Sequence, residues 1–285
     1  MNLFSLDNTK IFDYQAVKIT TAEKARETGK GLGLFIRVCY DKRKGNLEVC
    51  ALFTKQTLDF LFENRLHDSK AWFEEHKDDY TRLVLKPLQE LVVALTPSML
   101  EMDSNFTTEP RVDKTICRIR RDTRYSHDKS LYRDAMWIIF KEGKMHGTEV
   151  PGVYFEINCS GFNYGCGFYH ASTSYMNTMR GLILEGDKVF KKAKKAYESQ
   201  SVFHLEGEKF KRPHYPDQPP KLQDWLDLRG ISFVAESKDF DLLFSDRLPE
   251  KLIADYKLMT PLYNFLLHTA RLERQSQTAN QLLQY

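Results

Sequence analysis

Between Val153 and Phe168, apolar side chains recur at every second position on both sides of a Ser160-Gly161 pair. This alternation constrains the chain more than any other feature, because a period of two marks β-strands with one face turned to a core. If Ser160-Gly161 is a two-residue turn, Val153, Phe155, Ile157 and Cys159 share a face with Phe162, Tyr164, Cys166 and Phe168. Glu156 then faces Gly165, and Tyr154 faces Gly167. Upstream, Ile116 to Arg120 reads as a short strand. Ala135 to Phe140 is apolar in both alternating sets, the pattern of a central strand covered on both sides. Ile231, Phe233 and Ala235 alternate in a further strand.

Helical spacing brackets these strands. From Thr54, a candidate N-cap, Leu58, Leu61, Phe62 and Leu66 mark one face of a short helix. Asp68 or Ser69 opens a longer one bearing Phe73, Tyr80, Val84, Leu88, Leu91, Val92 and Leu95, which Pro87 should kink or divide near Lys86. The strand signal begins after Pro97. Ser172 or Thr173 caps a helix with Met176, Met179 and Ile183 that ends at Gly186, and a basic helical stretch follows through Lys195. A last helix opens at Pro249, is interrupted by Pro261, and carries Leu252, Ile253, Tyr256, Leu262, Phe265 and Leu266. Helices first, strands in the middle and helices last predict an α+β fold, with a mainly antiparallel sheet packed against N- and C-terminal helices.

The chain has 285 residues, 42% apolar and 28% charged, which suits one large globular domain over residues 53–274 with a polar tail at 275–285. Five cysteines at irregular spacing, without a C-x-x-C pair, predict reduced thiols, no metal site and a cytoplasmic location. Wholly apolar runs such as Leu91 to Leu95 are too short to span a bilayer, and no membrane association is expected. Residues 1–52 read as an accessory extension or a misassigned start, since Leu47-Glu48-Val49 can be encoded by a purine-rich ribosome-binding sequence ahead of Leu52. The stretch from Gly29 to Ile36 resembles the end of a histidine-kinase-type ATPase domain. The upstream elements of such an ATP site do not fit in front of residue 29, and no cofactor is expected.

Function is best sought between Arg111 and Arg133, where eight basic residues meet three acids, a local excess of five against +3 for the whole chain. Guanidinium groups present planar paired donors that match phosphate or carboxylate oxygens. Arg118, Arg121, Arg124 and Lys129, with Asp122 among them, therefore point to a small anionic ligand. Tyr154 and Asn158 would form a polar floor beside the glycines of the hairpin. Glu156 and His170 are candidate acid-base groups. The competing reading is a non-catalytic interaction module. In it Arg118 and Arg121 lie under the sheet, tied to Asp122, Asp128 and backbone carbonyls, and Tyr175, Met176 and Met179 dock a partner protein. A nucleic-acid surface is not expected, because no row of stacking aromatics, zinc finger or recognition helix accompanies the cluster.

The ordered segments Trp72-Phe73-x-x-His76-Lys77-x-x-Tyr80, Arg118-Ile119-x-Arg121-Asp122-x-Arg124-Tyr125-Ser126-x-Asp128-Lys129-x-x-Tyr132, the glycine-punctuated hairpin and Lys211-Arg212-Pro213 resemble the family called domain of unknown function 2461. The likeness runs from about residue 53 to about residue 274, with His76 where the family more often has asparagine. It implies one intact domain and assigns no reaction, cofactor or catalytic residue.

Overall fold

The computed structural model describes residues 51–124 and 127–279, together with the backbone of 38–41, 46–49 and 280–282. The stretch from Gly29 to Ile36 lies outside the described residues. Two short strands, β1 (Val38–Asp41) and β2 (Asn46–Val49), pair antiparallel with Val38 opposite Val49.

The helical opening begins with α1 (Lys55–His67), where the Thr54 N–H donates to Thr57 Oγ1 at 3.1 Å. Its buried residues are Thr57, Leu58, Phe60, Leu61 and Asn64, so the core face is rotated from the one the apolar spacing predicts. Phe62 and Leu66 point to solvent instead. Ser69 accepts from the Trp72 N–H and caps α2 (Lys70–Glu75), and α3 (Lys77–Tyr80) follows. A π-helical turn at Thr81–Leu85 then leads into α4 (Lys86–Met102). Pro87 has no N–H to continue an α-helical ladder, and the wider turn lies immediately before it, dividing the helix at Lys86 as the sequence predicts. The helix does not stop at Pro97. Leu95 and Met99 keep its buried stripe continuous across that exposed proline. The run Lys77–Met102 is long and apolar enough to cross a membrane by length and composition. In the fold its stripe of Val84, Leu88, Leu91, Val92, Leu95 and Met99 is buried in the core.

The fold is α+β, built on an open antiparallel sheet of β3 (Ala135–Lys141), β4 (Gly152–Asn158), β5 (Gly161–Gly167), β6 (His204–Glu206) and β7 (Ser232–Ser237) in the order β3-β4-β5-β7-β6. Three expectations change. β3 is the outermost strand rather than a central one, and along its free side the predicted strand Ile116 to Arg120 forms only isolated bridges, such as Ile116 opposite Ile138. Cys117 N–H donates to Trp137 O at 3.0 Å and Ile139 N–H to Thr115 O at 2.8 Å, so irregular backbone shields that edge. The β4–β5 hairpin forms in a shifted register, with Asn158 opposite Gly161, Glu156 opposite Asn163 and Tyr154 opposite Gly165. Asn158 Oδ1 accepts the Ser160 N–H at 2.8 Å and makes Cys159-Ser160 the turn. Each partner moves by two positions, so Val153, Phe155, Ile157, Phe162, Tyr164 and Cys166 still share the buried face.

Helices cover that face. Ser172 caps α5 (Thr173–Leu184) by accepting the Tyr175 N–H at 2.9 Å, and Asp187 caps α6 (Lys188–Glu198). After α7 (Pro220–Leu226) and α8 (Phe240–Leu243) comes α9 (Leu248–Leu282), which contacts α4, α5, α6 and β5 and runs through Pro261 without stopping. Tyr175, Met176 and Met179 of α5 are almost wholly buried, so they belong to the core and present no docking surface.

Candidate functional site

The arginine-rich segment folds as a narrow hairpin. Arg121 N–H donates to Leu131 O at 2.8 Å, Arg133 N–H to Ile119 O at 3.0 Å, and Arg120 stands opposite Tyr132. A residue far away in sequence clamps its stem. Asp68, just past the end of α1, takes the left-handed conformation (φ 45°) and donates its N–H to Asn64 O, while its Oδ1 accepts from Leu131 N–H at 2.7 Å and Tyr132 N–H at 3.0 Å. Left-handed backbone is costly for a residue with a Cβ, and two hydrogen bonds to a carboxylate offset the strain. Tyr132 stacks on Phe73 at 4.9 Å, which anchors the same stem to α2.

Each predicted arginine meets a carboxylate. Arg118 Nε donates to Asp113 Oδ1 at 2.6 Å. Arg124 grips Asp122 with two donors, Nε at 3.0 Å and Nη2 at 2.6 Å, and these bonds draw the Asp122 carboxyl down to about 2. Asp128 Oδ2 is shared by Arg121 at 2.9 Å and Arg65 at 3.1 Å, while its Oδ1 accepts the Ser130 N–H and hydroxyl. Hydrogen bonds from Ser130, then the two arginines, hold Asp128 below the usual carboxylate range. Lys129 Nζ donates to Thr123 O at 2.9 Å. Arg133 Nε reaches Arg118 O, and its guanidinium lies 4.6 Å over the Trp137 ring. Arg120 is exposed and has no ion pair among the described residues. Tyr125 and Ser126 lie outside the described residues.

Seven cations (Arg65, Arg118, Arg120, Arg121, Arg124, Lys129, Arg133) thus stand against Asp68, Asp113, Asp122 and Asp128 and the neighbouring Glu74 and Asp134, a local excess of one. The arginines are not under the sheet. Side-chain exposure is 66% for Arg118, 74% for Arg124 and 22% for Arg121.

The other predicted residues lie elsewhere. Tyr154, Glu156 and Asn158 follow one another along the outer face of β4, half-buried, with Asn163 Nδ2 donating to Glu156 Oε1 at 3.1 Å. Asn158 closes the hairpin turn. The hairpin glycines make no room for a ligand: a Cβ at Gly165 would collide with the Phe233 carbonyl of β7, and one at Gly167 with Ser232. Glu156 lies four rungs along β4 from Gly152, the partner of Gly167, or roughly 13 Å at strand spacing. His170 is exposed beyond that far end, so the two acid-base candidates do not converge. Cys117 lies beside Glu156 and Arg133, and burial raises its thiol to about 12, which leaves it protonated and unreactive. Among the described residues, no group of three or more His, Cys, Asp or Glu side chains gathers as metal ligands.

A cleft of about 370 Å3 lies between α6, β6 and α7, lined by Tyr197, Glu198, Leu205, Lys209, Lys221 and Asp224 among others. β6 is four strand spacings from β3, roughly 19 Å across the sheet. The charges of the cleft pair with one another, Lys209 with Asp224 at 2.8 Å and Lys221 with Glu198 at 3.5 Å, and leave no excess of either sign. The hairpin does have such an excess. Local sequence reasoning could not reach Arg65 or Asp68, which bind the hairpin across 63 positions or more.

No curated protein matches the chain. Residues 56–265, which hold both the hairpin and its clamp, match the family described as conserved hypothetical protein (DUF2461), and the chain belongs to that family.

Proposed function

We propose that the arginine hairpin binds a small anionic ligand bearing phosphate or carboxylate groups. The observation that carries this reading is the excess of exposed cations on one clamped ribbon. An ion pair exposed to water contributes little to stability, so a cluster of them is poorly accounted for by stability alone. A ligand anion could exchange with Asp113, Asp122 or Asp128 at small cost, and Arg120 adds a cation with no ion pair of its own among the described residues. The stem needs no reorganisation, because Asp68 and Tyr132 already hold it. The odd number of cysteines, with Cys117 and Cys166 packed as buried thiols, supports a reducing, cytoplasmic location.

The test is thermal unfolding with inorganic phosphate, pyrophosphate and citrate at constant ionic strength. The wild-type chain should melt at a higher temperature with at least one of them, since anything that binds the native state preferentially stabilises it. Arg120→Ala combined with Arg124→Ala should abolish the rise while leaving the ligand-free melt near wild type. A rise of the same size in the double variant would place the anion elsewhere.

A further inference from the structure

We propose that the anions met by the arginine hairpin are carboxylates on an amphipathic helical segment of another protein, docked along Phe62 and Leu66 of α1. The inference rests on the reading above that the hairpin takes phosphate or carboxylate groups, and it places those groups on a protein segment where that reading has a small ligand. Phe62 is 57% exposed and Leu66 69% exposed, so one helix leaves two large apolar side chains to water. They stand four residues apart, so they are neighbours on one face, and Arg65, at i+3 from Phe62, flanks that face. Arg65 is also the residue of α1 that pairs with Asp128 of the hairpin. The apolar ridge and the basic ribbon therefore form one continuous surface.

The charges on the two flanks of the ridge select the occupant. At 100° per residue, Arg65 and the hairpin lie on one side of Phe62 and Leu66, while the exposed Asp59 and Glu63 lie on the other. An anionic lipid surface would meet those two carboxylates as well as the arginines, which disfavours a membrane. Residues 1–50 carry nine basic and six acidic residues, the wrong sign to neutralise the hairpin from within the chain. A second copy laid along the same ridge offers only Asp59 and Glu63 against the larger set of hairpin cations. A helix with leucine-type side chains on one stripe and a row of acids along one flank satisfies both the ridge and the ribbon. Paired flanking charges of this kind set register and partner choice where helices meet.

The experiment uses the full chain and a fluorescein-labelled peptide of about 18 residues with a leucine stripe at helical spacing and flanking glutamates. Fluorescence anisotropy should show it binding at least about tenfold tighter than the same peptide with lysines, or an isomer whose leucines are scattered, a gap of about 1.4 kcal/mol. Phe62→Ser with Leu66→Ser should cost about tenfold in peptide affinity, leaving the melting temperature and the phosphate-induced shift unchanged. Arg120→Glu with Lys129→Glu should abolish both peptide binding and the phosphate shift. If phosphate still shifts the melt but the peptide binds no better than its scattered isomer, or binds the serine variant equally well, the partner is wrong and the anion site stands. If neither probe binds, both readings fall. Co-sedimentation with phosphatidylserine vesicles that the serine variant loses, or a concentration-dependent dimer that it loses, would replace the helical partner with a lipid surface or a second copy.

Discussion

Asp68 does three things at once, and each is separable by substitution. It ends α1 in a left-handed conformation, returns its N–H to Asn64 O, and accepts two backbone amides of the hairpin. Asp68→Asn keeps an acceptor and suits the left-handed cap, so its stability should stay near wild type. Asp68→Gly relieves the backbone but removes the acceptor, and should cost about 2 kcal/mol for the two lost bonds. Asp68→Ala should cost about 1 kcal/mol more, because it keeps the strain as well. Urea unfolding ranks the three; a glycine variant as stable as wild type would mean that the clamp contributes nothing. One turn earlier on the same helix, Asn64 is wholly buried, with neither side-chain amide atom hydrogen-bonded among the described residues. An unmatched buried amide costs about 1–3 kcal/mol, so Asn64→Leu should raise the melting temperature. A lower melting temperature would show that the amide has a role in the core that packing cannot replace.

At the scale of elements, the glycines of β5 and α5 make opposite predictions. Gly165 is wedged against the backbone of β7, and Gly165→Ala should force the strands apart at a cost of about 3 kcal/mol. Gly181 sits inside α5 with open space for 4 Å around the point where a methyl would stand, and Gly181→Ala should stabilise by about 0.5–1 kcal/mol through lower entropy of the unfolded chain. Circular-dichroism melts of the pair decide it, and equal effects would contradict the strand approach. The β4–β5 hairpin also separates what a local window can read from what it cannot. Alternation from Val153 to Cys166 suffices to assign faces, because a two-position slip keeps parity. It cannot assign register, which depends on the Asn158 side chain at the turn, nor tell a glycine that admits a ligand from one that admits a neighbouring strand. Nor can apolar content tell that β3 is outermost, since irregular backbone from Thr115 to Cys117 shields its edge. In the arginine hairpin, the charge excess is legible, whereas its attachment through Arg65 and Asp68 is not, because nothing in a local window signals a contact across 63 positions.

For the molecule as a whole, the sheet and the helical layer are joined by more than apolar contact. Buried tyrosine hydroxyls tie α9 or the sheet to distant elements: Tyr256 to Tyr154 O, Tyr164 to Asp255, Tyr175 to Leu266 O, and Tyr263 to Asp103. Apolar burial is non-directional, so it would tolerate a helix sliding by part of a turn, while these bonds fix where α9 stops. The Tyr263 bond is the longest of the four in sequence, joining α9 to the end of α4 across 160 residues, and burial with the Asp103 carboxylate beside it pushes the phenol well above its ordinary range. Asp103 is 8% exposed and has one other side-chain bond among the described residues, from Asn105 N–H. Tyr263→Phe removes one hydroxyl without creating a cavity, but it strands a nearly buried carboxylate, so the expected loss is about 1–3 kcal/mol. Adding Asp103→Asn should recover part of it, because a neutral amide is cheaper to leave in that position than a charge. A double-mutant cycle in urea reads the coupling directly. Additive losses would mean that the hydroxyl and the carboxylate do not hold α4 and α9 together, and that the register of the long helix is set by packing alone.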